Sequence, residues 1–472
     1  MMKDPETTEG QGLDSSSRNS QTPPEPSLMQ KSTALRLFAF TLLFMALVQV
    51  VLLAKLGNGL SPFDIFDEAD AVRSAEAYAT EGFTMHHGLA RLLYGSRFPT
   101  QGAVTDHLDT NGLVKPRYLV RYPEHLKDRN EWVYMHYPPG PALWCGVLAR
   151  CFGLNHIWMW RLVPISLAFV SVIILFRTLA SVFGVDRGAL ITLACAVLPM
   201  ANTYMPGLYY ESYSYSLQLL QLSLLIKCLW GGGWRWWHLP VLFLLGFVQG
   251  CMSFDFFFIV ALAVVPLWLM RRAEGALVPG RWLCLGIGLP LMGFGLAHFL
   301  HLLQLAGELG GLRPAIVELS STAVDRAGVT TGVDRFSYLK SFSQMSYLYI
   351  REFLRLYNQH FGPFLPLAVA VGVLVSVFRK TQLTLSLPEK QTPFVFSLSW
   401  PGPKRLAPAL IAAFFVCALW PIVMPGANVG NFHIYPRDFF FFYFMLVLAA
   451  MKSIRVGEKR PADVETPVAP KS

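Results

Sequence analysis

Four clusters of polar residues interrupt a largely apolar chain, and each carries groups able to do chemistry. The first is Phe66-Asp67-Glu68-Ala69-Asp70, three acids within four residues. A carboxylate held within hydrogen-bond reach of a hydroxyl is a competent general base. Acids in the first turn of a helix also complement its dipole, which accounts for acids here but not for three together. The second is Tyr134-Met135-His136-Tyr137-Pro138-Pro139-Gly140-Pro141. Proline is tolerated in a first helical turn, so this stretch also reads as a helix start with interfacial tyrosines.

The third cluster is Tyr209-Tyr210-Glu211, at a break between apolar runs, with Asp255 standing between Phe254 and Phe256. A carboxylate at membrane depth is costly and suggests a function, although Asp255 near an interface would cost little. The fourth is His433, Arg437 and Asp438 at the mouth of the last apolar run. His433 and Arg437 are four apart, a spacing that would put them on one face of a helix. The planar fork of an arginine suits a phosphate, and an arginine can equally snorkel to an interface. His298 and His301, three apart in an apolar stretch, form only a pair and argue weakly for a metal.

These clusters need a scaffold, and composition supplies its class. The chain has 472 residues, 53% hydrophobic and 15% charged. Soluble domains carry about 25% charged residues. The apolar excess sits in long runs, and about 20 apolar residues span a bilayer. Within lipid such runs must be helices. The net charge of +9 reflects Lys and Arg beside apolar runs, where they set orientation. Nucleic-acid binding is therefore not expected. The cysteines lie in or beside apolar runs without zinc spacing, so no disulfide framework is expected.

Residues 1–33 are Ser-, Pro- and Thr-rich and read as a disordered cytoplasmic tail. A first membrane helix follows at 34–56, then a polar extracytoplasmic loop at 57–137, too long to be structureless. Within it, Asp67–Thr80 reads as a surface helix with an apolar stripe of Val72, Ala75 and Ala79, ended by Gly82. Residues 138–305 form a membrane helix bundle with runs at 139–154, 158–183, 188–206, 208–230, 238–254, 255–270 and 282–305. A second extracytoplasmic segment spans 306–360. C-terminal membrane helices at 361–378, 407–424 and 438–451 occupy 361–451. The polar tail 452–472 reads as cytoplasmic and disordered. Basic residues at Arg271, Arg272, Arg281, Arg379, Lys380, Lys404, Arg405 and Lys452 mark cytoplasmic loops and place both termini inside. The count conflicts at one place. Four crossings before the basic segment 235–238 would put it outside, so one of those four does not cross.

In these motifs the chain resembles the GT-C class of membrane glycosyltransferases, and within it the protein O-mannosyltransferase and lipid A aminoarabinose transferase superfamily. Asp67-Glu68 after the first membrane helix matches that family's Asp-Glu pair. Tyr137-Pro138-Pro139-Gly140-Pro141 matches its Pro-Pro motif. Arg161-Leu162-Val163-Pro164, running on to Phe176-Arg177, matches the start of its next helix. Pro199 to Tyr209-Tyr210-Glu211 matches its aromatic and acidic break. The likeness covers residues 35–270, is loose beyond them apart from the Arg437 region, and rests on the order of the motifs.

The resemblance implies an all-α, polytopic, GT-C-like helical bundle with an extracytoplasmic loop subdomain in the cell's inner or plasma membrane. It implies inverting transfer from a polyprenyl-phosphate sugar to an envelope acceptor: glycan, lipid or protein. Asp67 would be the base, with Glu68 beside it. Arg437, Arg161, Tyr137, Glu211 and His433 would hold substrate and phosphate. The aminoarabinose transferases carry a Glu-Lys pair before Pro-Pro, the Glu ligating a metal. Here His136 and Tyr137 stand there, so a divalent cation would fall to His136. The missing Lys shifts phosphate contacts to arginines, Arg117 and Arg121 in the loop among them. The rival reading is a transporter or flippase of a lipid-linked saccharide. Transporters commonly show internal repeats, and no repeat is visible.

Overall fold

The computed structural model describes residues 29–61, 65–91, 133–134, 137–326, 359–364, 382–385, 394–398, 403–423 and 438–458. The expectations for the N-terminal tail, His136, His433 and Arg437 lie outside them, as does nearly all of the run at 361–378.

The chain is mostly helical. The first helix, α1 (Lys31–Leu56), leads to α2 (Ile65–Thr80) and a 3₁₀ turn at Met85–Gly88. The next helices are α3 (Gly140–Phe152), α4 (Ile157–Phe183), α5 (Val185–Ala196), α6 (Pro199–Tyr204) and α7 (Tyr210–Trp230). Then come α8 (His238–Met252), α9 (Phe257–Leu262), α10 (Val264–Ala273), α11 (Gly280–Glu308), α12 (Leu312–Arg326), α13 (Pro403–Val423) and α14 (Phe440–Ser453). Three of them, α1, α4 and α11, are long and apolar enough to cross a membrane. The apolar stretches of α8, α13 and α14 are shorter. The run at 188–206 divides into α5 and α6 at Val197-Leu198, where Pro199 starts a new helix. The run at 255–270 divides into α9 and α10 at Ala263.

Small residues set the closest helix approach. Among the glycines that face α8 or α11, a Cβ built on Gly293 would stand 2.0 Å from the Phe243 carbonyl, and one on Gly246 2.2 Å from that of Pro290. Close backbone contact through small residues is how helices associate without a hydrophobic drive between them.

The two ends of the helical body differ in chemistry. At one end, the Glu274 carboxylate accepts hydrogen bonds from Arg271 Nη1 at 2.9 Å, Trp230 Nε1 at 2.9 Å and Lys452 Nζ. Lys452 also lies 4.5 Å from the Phe183 ring centroid and 4.7 Å from that of Trp230. These contacts tie the C-terminal ends of α4, α7, α10 and α14. The opposite end collects the C-terminal ends of α1, α8 and α11 and the starts of α4 and α7, beneath α2 and α3.

The run at 139–154, expected to be a membrane helix, forms α3, whose surroundings are particular. Gly140 packs against the Cys251 carbonyl at the end of α8. At the other end of α3, the Arg150 guanidinium covers Phe83, 5.0 Å from its ring centroid, just past α2. Just beyond α3, the Trp158 amide donates to Asn58 Oδ1 at the end of α1. Both ends of α3 thus lie at the same end of the body. Its 13 residues extend only about 20 Å, and one face is spent on α2. Ala71, Val72 and Ala75 of α2 form one apolar cluster with Cys145, Leu148 and Ala149 of α3 and with Trp160. The stripe read from Val72, Ala75 and Ala79 is the contact face, with Ala79 at its margin.

Short strands add to the all-helical expectation. Residues 90–91 and 133–134 form an antiparallel pair, β1 (Ala90–Arg91) and β2 (Val133–Tyr134). A three-stranded antiparallel sheet joins β3 (Gln382–Leu385), β4 (Phe394–Leu398) and β5 (Ile454–Glu458) in the order β3-β4-β5. The tail after Lys452, expected to be disordered, begins as a strand because the 394–398 edge offers its backbone groups a partner.

Candidate functional site

The acids of the first cluster fold into α2, and two of them are already spoken for. Glu68 has no solvent exposure. Its Oε1 accepts from Arg161 Nη1 at 2.5 Å and from the Leu208 amide at 3.2 Å. Its Oε2 accepts from the Ser61 amide. Arg161, equally buried, also donates from Nη1 to the Pro206 carbonyl at 2.7 Å and from Nη2 to the Gly59 carbonyl at 2.5 Å. One ion pair thereby fastens the end of α1, the first turn of α2, the start of α4 and the α6–α7 connection. Burial pushes the Glu68 carboxyl above the usual carboxylate range, and the Arg161 charge with the Ser61 and Leu208 amides pulls it back. Asp70 pairs with Arg73 at 3.5 Å.

This geometry gives Glu68 and Arg161 a different task from the one expected. Arg161 lies at the same end of the body as Glu68, and its Nη1 and Nη2 groups are turned to internal acceptors rather than to a solvent-borne phosphate. The described residues do not fit a cation at Glu68, because both carboxylate oxygens face N–H donors that a metal would have to displace. Among the described residues no three His, Cys, Asp or Glu side chains converge on a common point suited to a metal. Asp67 is the residue before Glu68 in the first turn of α2, and its side chain lies outside the described atoms.

Tyr137 closes the loop onto the helical body. Its ring lies 5.9 Å from that of Tyr210 at the start of α7 and 5.9 Å from Phe254. Its hydroxyl donates to Asp255 Oδ1 at 3.4 Å, in the break between α8 and α9. Tyr137, Tyr210 and Asp255, which the sequence offered as separate features, therefore meet. Glu211 is buried and lines a cavity of about 10 Å³ with Tyr204, Gln218, Phe256 and Phe440. Tyr204 Oη lies 2.7 Å from His360 Nε2. Asp438, one residue after Arg437, is buried at the start of α14. His298 stacks on Phe294 and meets Phe254, and His301 turns toward a separate groove.

Sequence reasoning missed a second set of polar contacts at this end. His86 Nδ1 lies 3.0 Å from Glu308 Oε1 at the end of α11. Arg91 pairs with Glu81, and Ser74 Oγ donates to the Arg91 carbonyl at 3.0 Å. The partners of the first pair stand 222 positions apart, and no local pattern announces such a contact. No protein-family model, curated protein or solved structure matches the chain.

Proposed function

We propose that the chain is a membrane-embedded transferase that moves a sugar from a polyprenyl-phosphate donor to a hydroxyl-bearing envelope acceptor. Asp67 accepts the acceptor's proton as its oxygen attacks the anomeric carbon. The bond from that carbon to the phosphate oxygen breaks, polyprenyl phosphate leaves with the electron pair, and the configuration inverts. The carbon passes through oxocarbenium character, as in glycosidases. Arg437 and His433 meet the phosphate charge, since a phosphate leaving group needs charge stabilisation more than a proton.

The observation that carries this reading is the Glu68–Arg161 lock. It fixes the first turn of α2 at one mouth of a helical body, and a base is effective only when its position is held. Tyr137 and Asp255 close the neighbouring seam, so the acidic turn and the Pro-Pro segment face the same region. The same contacts support a topology for this reading. With α3 on the surface, three crossings separate the 57–137 loop from Arg235, and the basic segment 235–238 falls on the cytoplasmic side. Taken with the crossing that the sequence alone leads one to expect at 361–378, this reading has ten crossings and cytoplasmic termini. The residues around Asp67 and Arg437 then share the outer face.

The test is reconstitution. Protein in nanodiscs receives a panel of polyprenyl-phosphate sugars and the glycan, lipid and peptide acceptors of an envelope extract. Expected is a glycosylated product that Asp67→Asn abolishes. No product from any pair, together with donor lipid moving between leaflets in vesicles, overturns the transferase in favour of a flippase.

A further inference from the structure

A groove of about 620 Å³ runs between the outer half of α11 and the segments that follow α2 and precede α3. That lies within the roughly 300–1,000 Å³ of small-molecule sites. Its chemistry is graded. Pro139, Leu143, Ala297 and Leu300 line an apolar part, and His87, His301 and Gln304 supply its polar side. The apolar wall is continuous with an outward face of α11 on which Leu296 (40%), Phe299 (52%), Leu300 (42%) and Leu303 (47%) are exposed. Because α11 is long and apolar enough to cross a membrane, that face suits lipid rather than water.

The polar side is held at a cost. His86 and His87 both adopt left-handed backbone, with φ of 47° and 54°. Such a backbone is unfavourable for a residue with a Cβ and persists only where its surroundings over-determine it. The constraints here are the His86–Glu308 contact and the Tyr78 hydroxyl, which donates to the Gly88 carbonyl at 2.8 Å. His87 is pressed so close to α11 that a Cβ on Gly307 would stand 2.6 Å from its Nδ1. Strained backbone of this kind gathers at ligand clamps.

We propose that this groove holds one chain of a bilayer amphiphile, with its oxygen-bearing headgroup against His87, His301 and Gln304. The exposed His87 imidazole and the Gln304 carboxamide can donate to headgroup oxygens, while Pro139, Leu143 and Leu300 flank the chain. The site stands apart from the Glu68–Arg161 lock and does not depend on the transferase reading.

The experiment is photo-crosslinking in nanodiscs of phosphatidylcholine and phosphatidylglycerol. One arm carries a diazirine-acyl phosphatidylglycerol and the other a diazirine-bearing polyprenyl phosphate. Adducts are mapped by peptide mass spectrometry. Expected are adducts concentrated on residues 297–304 and 139–143. Leu300→Trp, at an exposed position that tolerates bulk, narrows the groove and lowers these adducts about tenfold, the factor of a 1.4 kcal/mol loss of binding. Met292→Trp, exposed on the same helix but outside the groove, leaves them unchanged. Whichever probe labels more strongly identifies the source of the chain. Equal labelling around Met292 and Leu300, or labelling indifferent to Leu300→Trp with the unfolding midpoint intact, shows only annular lipid and overturns the proposal.

Discussion

The Arg161 guanidinium lies 2.5 Å from the Glu68 carboxylate, and both residues are wholly buried although 93 positions separate them. Such a pair adds little over a well-packed apolar substitute, but breaking it strands a charge. Arg161→Leu leaves Glu68 without its cation and the Gly59 and Pro206 carbonyls without their donor. We expect a loss of about 3–5 kcal/mol, read as a lowered unfolding midpoint in mild detergent. Glu68→Gln keeps only one acceptor oxygen, so its NH2 must face either the Ser61 amide or the Leu208 amide and Arg161. It should lose measurable stability too, since Arg161 then also stays buried without a counter-charge. If Arg161→Leu unfolds like the wild type, the lock does not hold the four elements together.

The contact between α8 and α11 is tested by two glycines on one helix. Gly293 faces the Phe243 carbonyl at a distance that admits no Cβ, whereas nothing lies within 4 Å of a Cβ on Gly295. Gly293→Ala forces the backbones apart and should cost about 1–3 kcal/mol or more, as overpacking does. Gly295→Ala should stabilise by up to about 1 kcal/mol through helix propensity. Opposite signs in a thermal unfolding series would establish the close approach, and like signs would refute it.

How much of this was legible in the chain depends on the range of the interaction. Apolar runs marked the long helices, because a helix in lipid satisfies its own backbone and needs no distant partner. The stripe of Val72, Ala75 and Ala79 marked the contact face of α2. Hydropathy could not separate α3 from a crossing, because Leu143, Trp144, Val147 and Leu148 are apolar whether a helix spans or lies flat. What decides the matter is α2 taking one face of it. The strand at Ile454–Glu458 was illegible for a related reason. It exists through pairing with 394–398, some 60 residues earlier, and nothing in Ile-Arg-Val-Gly-Glu alone specifies that. The acidic turn was visible as a cluster of carboxylates, but the different surroundings of its members were not. Only the fold shows that Glu68 and Asp70 are each matched to an arginine.

That difference sharpens the expectation for Asp67. Asp67→Asn exchanges a carboxylate for a carboxamide of nearly the same size and leaves Glu68 and Arg161 themselves unchanged, so folding should change much less than in Arg161→Leu. Transfer in the nanodisc assay should fall by about 10²–10⁴-fold, the contribution of a general base. The comparison that matters is turnover against unfolding midpoint for Asp67→Asn and Arg161→Leu. The first should lose turnover alone, the second both. An Asp67→Asn protein with full turnover would remove the base from the proposed reaction.

The sidedness of the helical body can be checked without any substrate. Glu81 sits with the acidic turn at one end and Glu274 with the basic cluster at the other. Glu274 is partly exposed and meets Arg271 and Lys452, and exposed ion pairs contribute only about 0–1 kcal/mol, so Glu274→Cys should fold. Glu81→Cys gives up its pair with Arg91 but keeps the rest of α2 in place. In a background whose native cysteines are replaced by serine or alanine, an impermeant maleimide added to intact cells should label Glu81→Cys at once. Glu274→Cys should react only after permeabilisation. Labelling of both from outside would mean that the two ends share a face, and a crossing body with its acidic turn outside and its basic cluster inside could not stand.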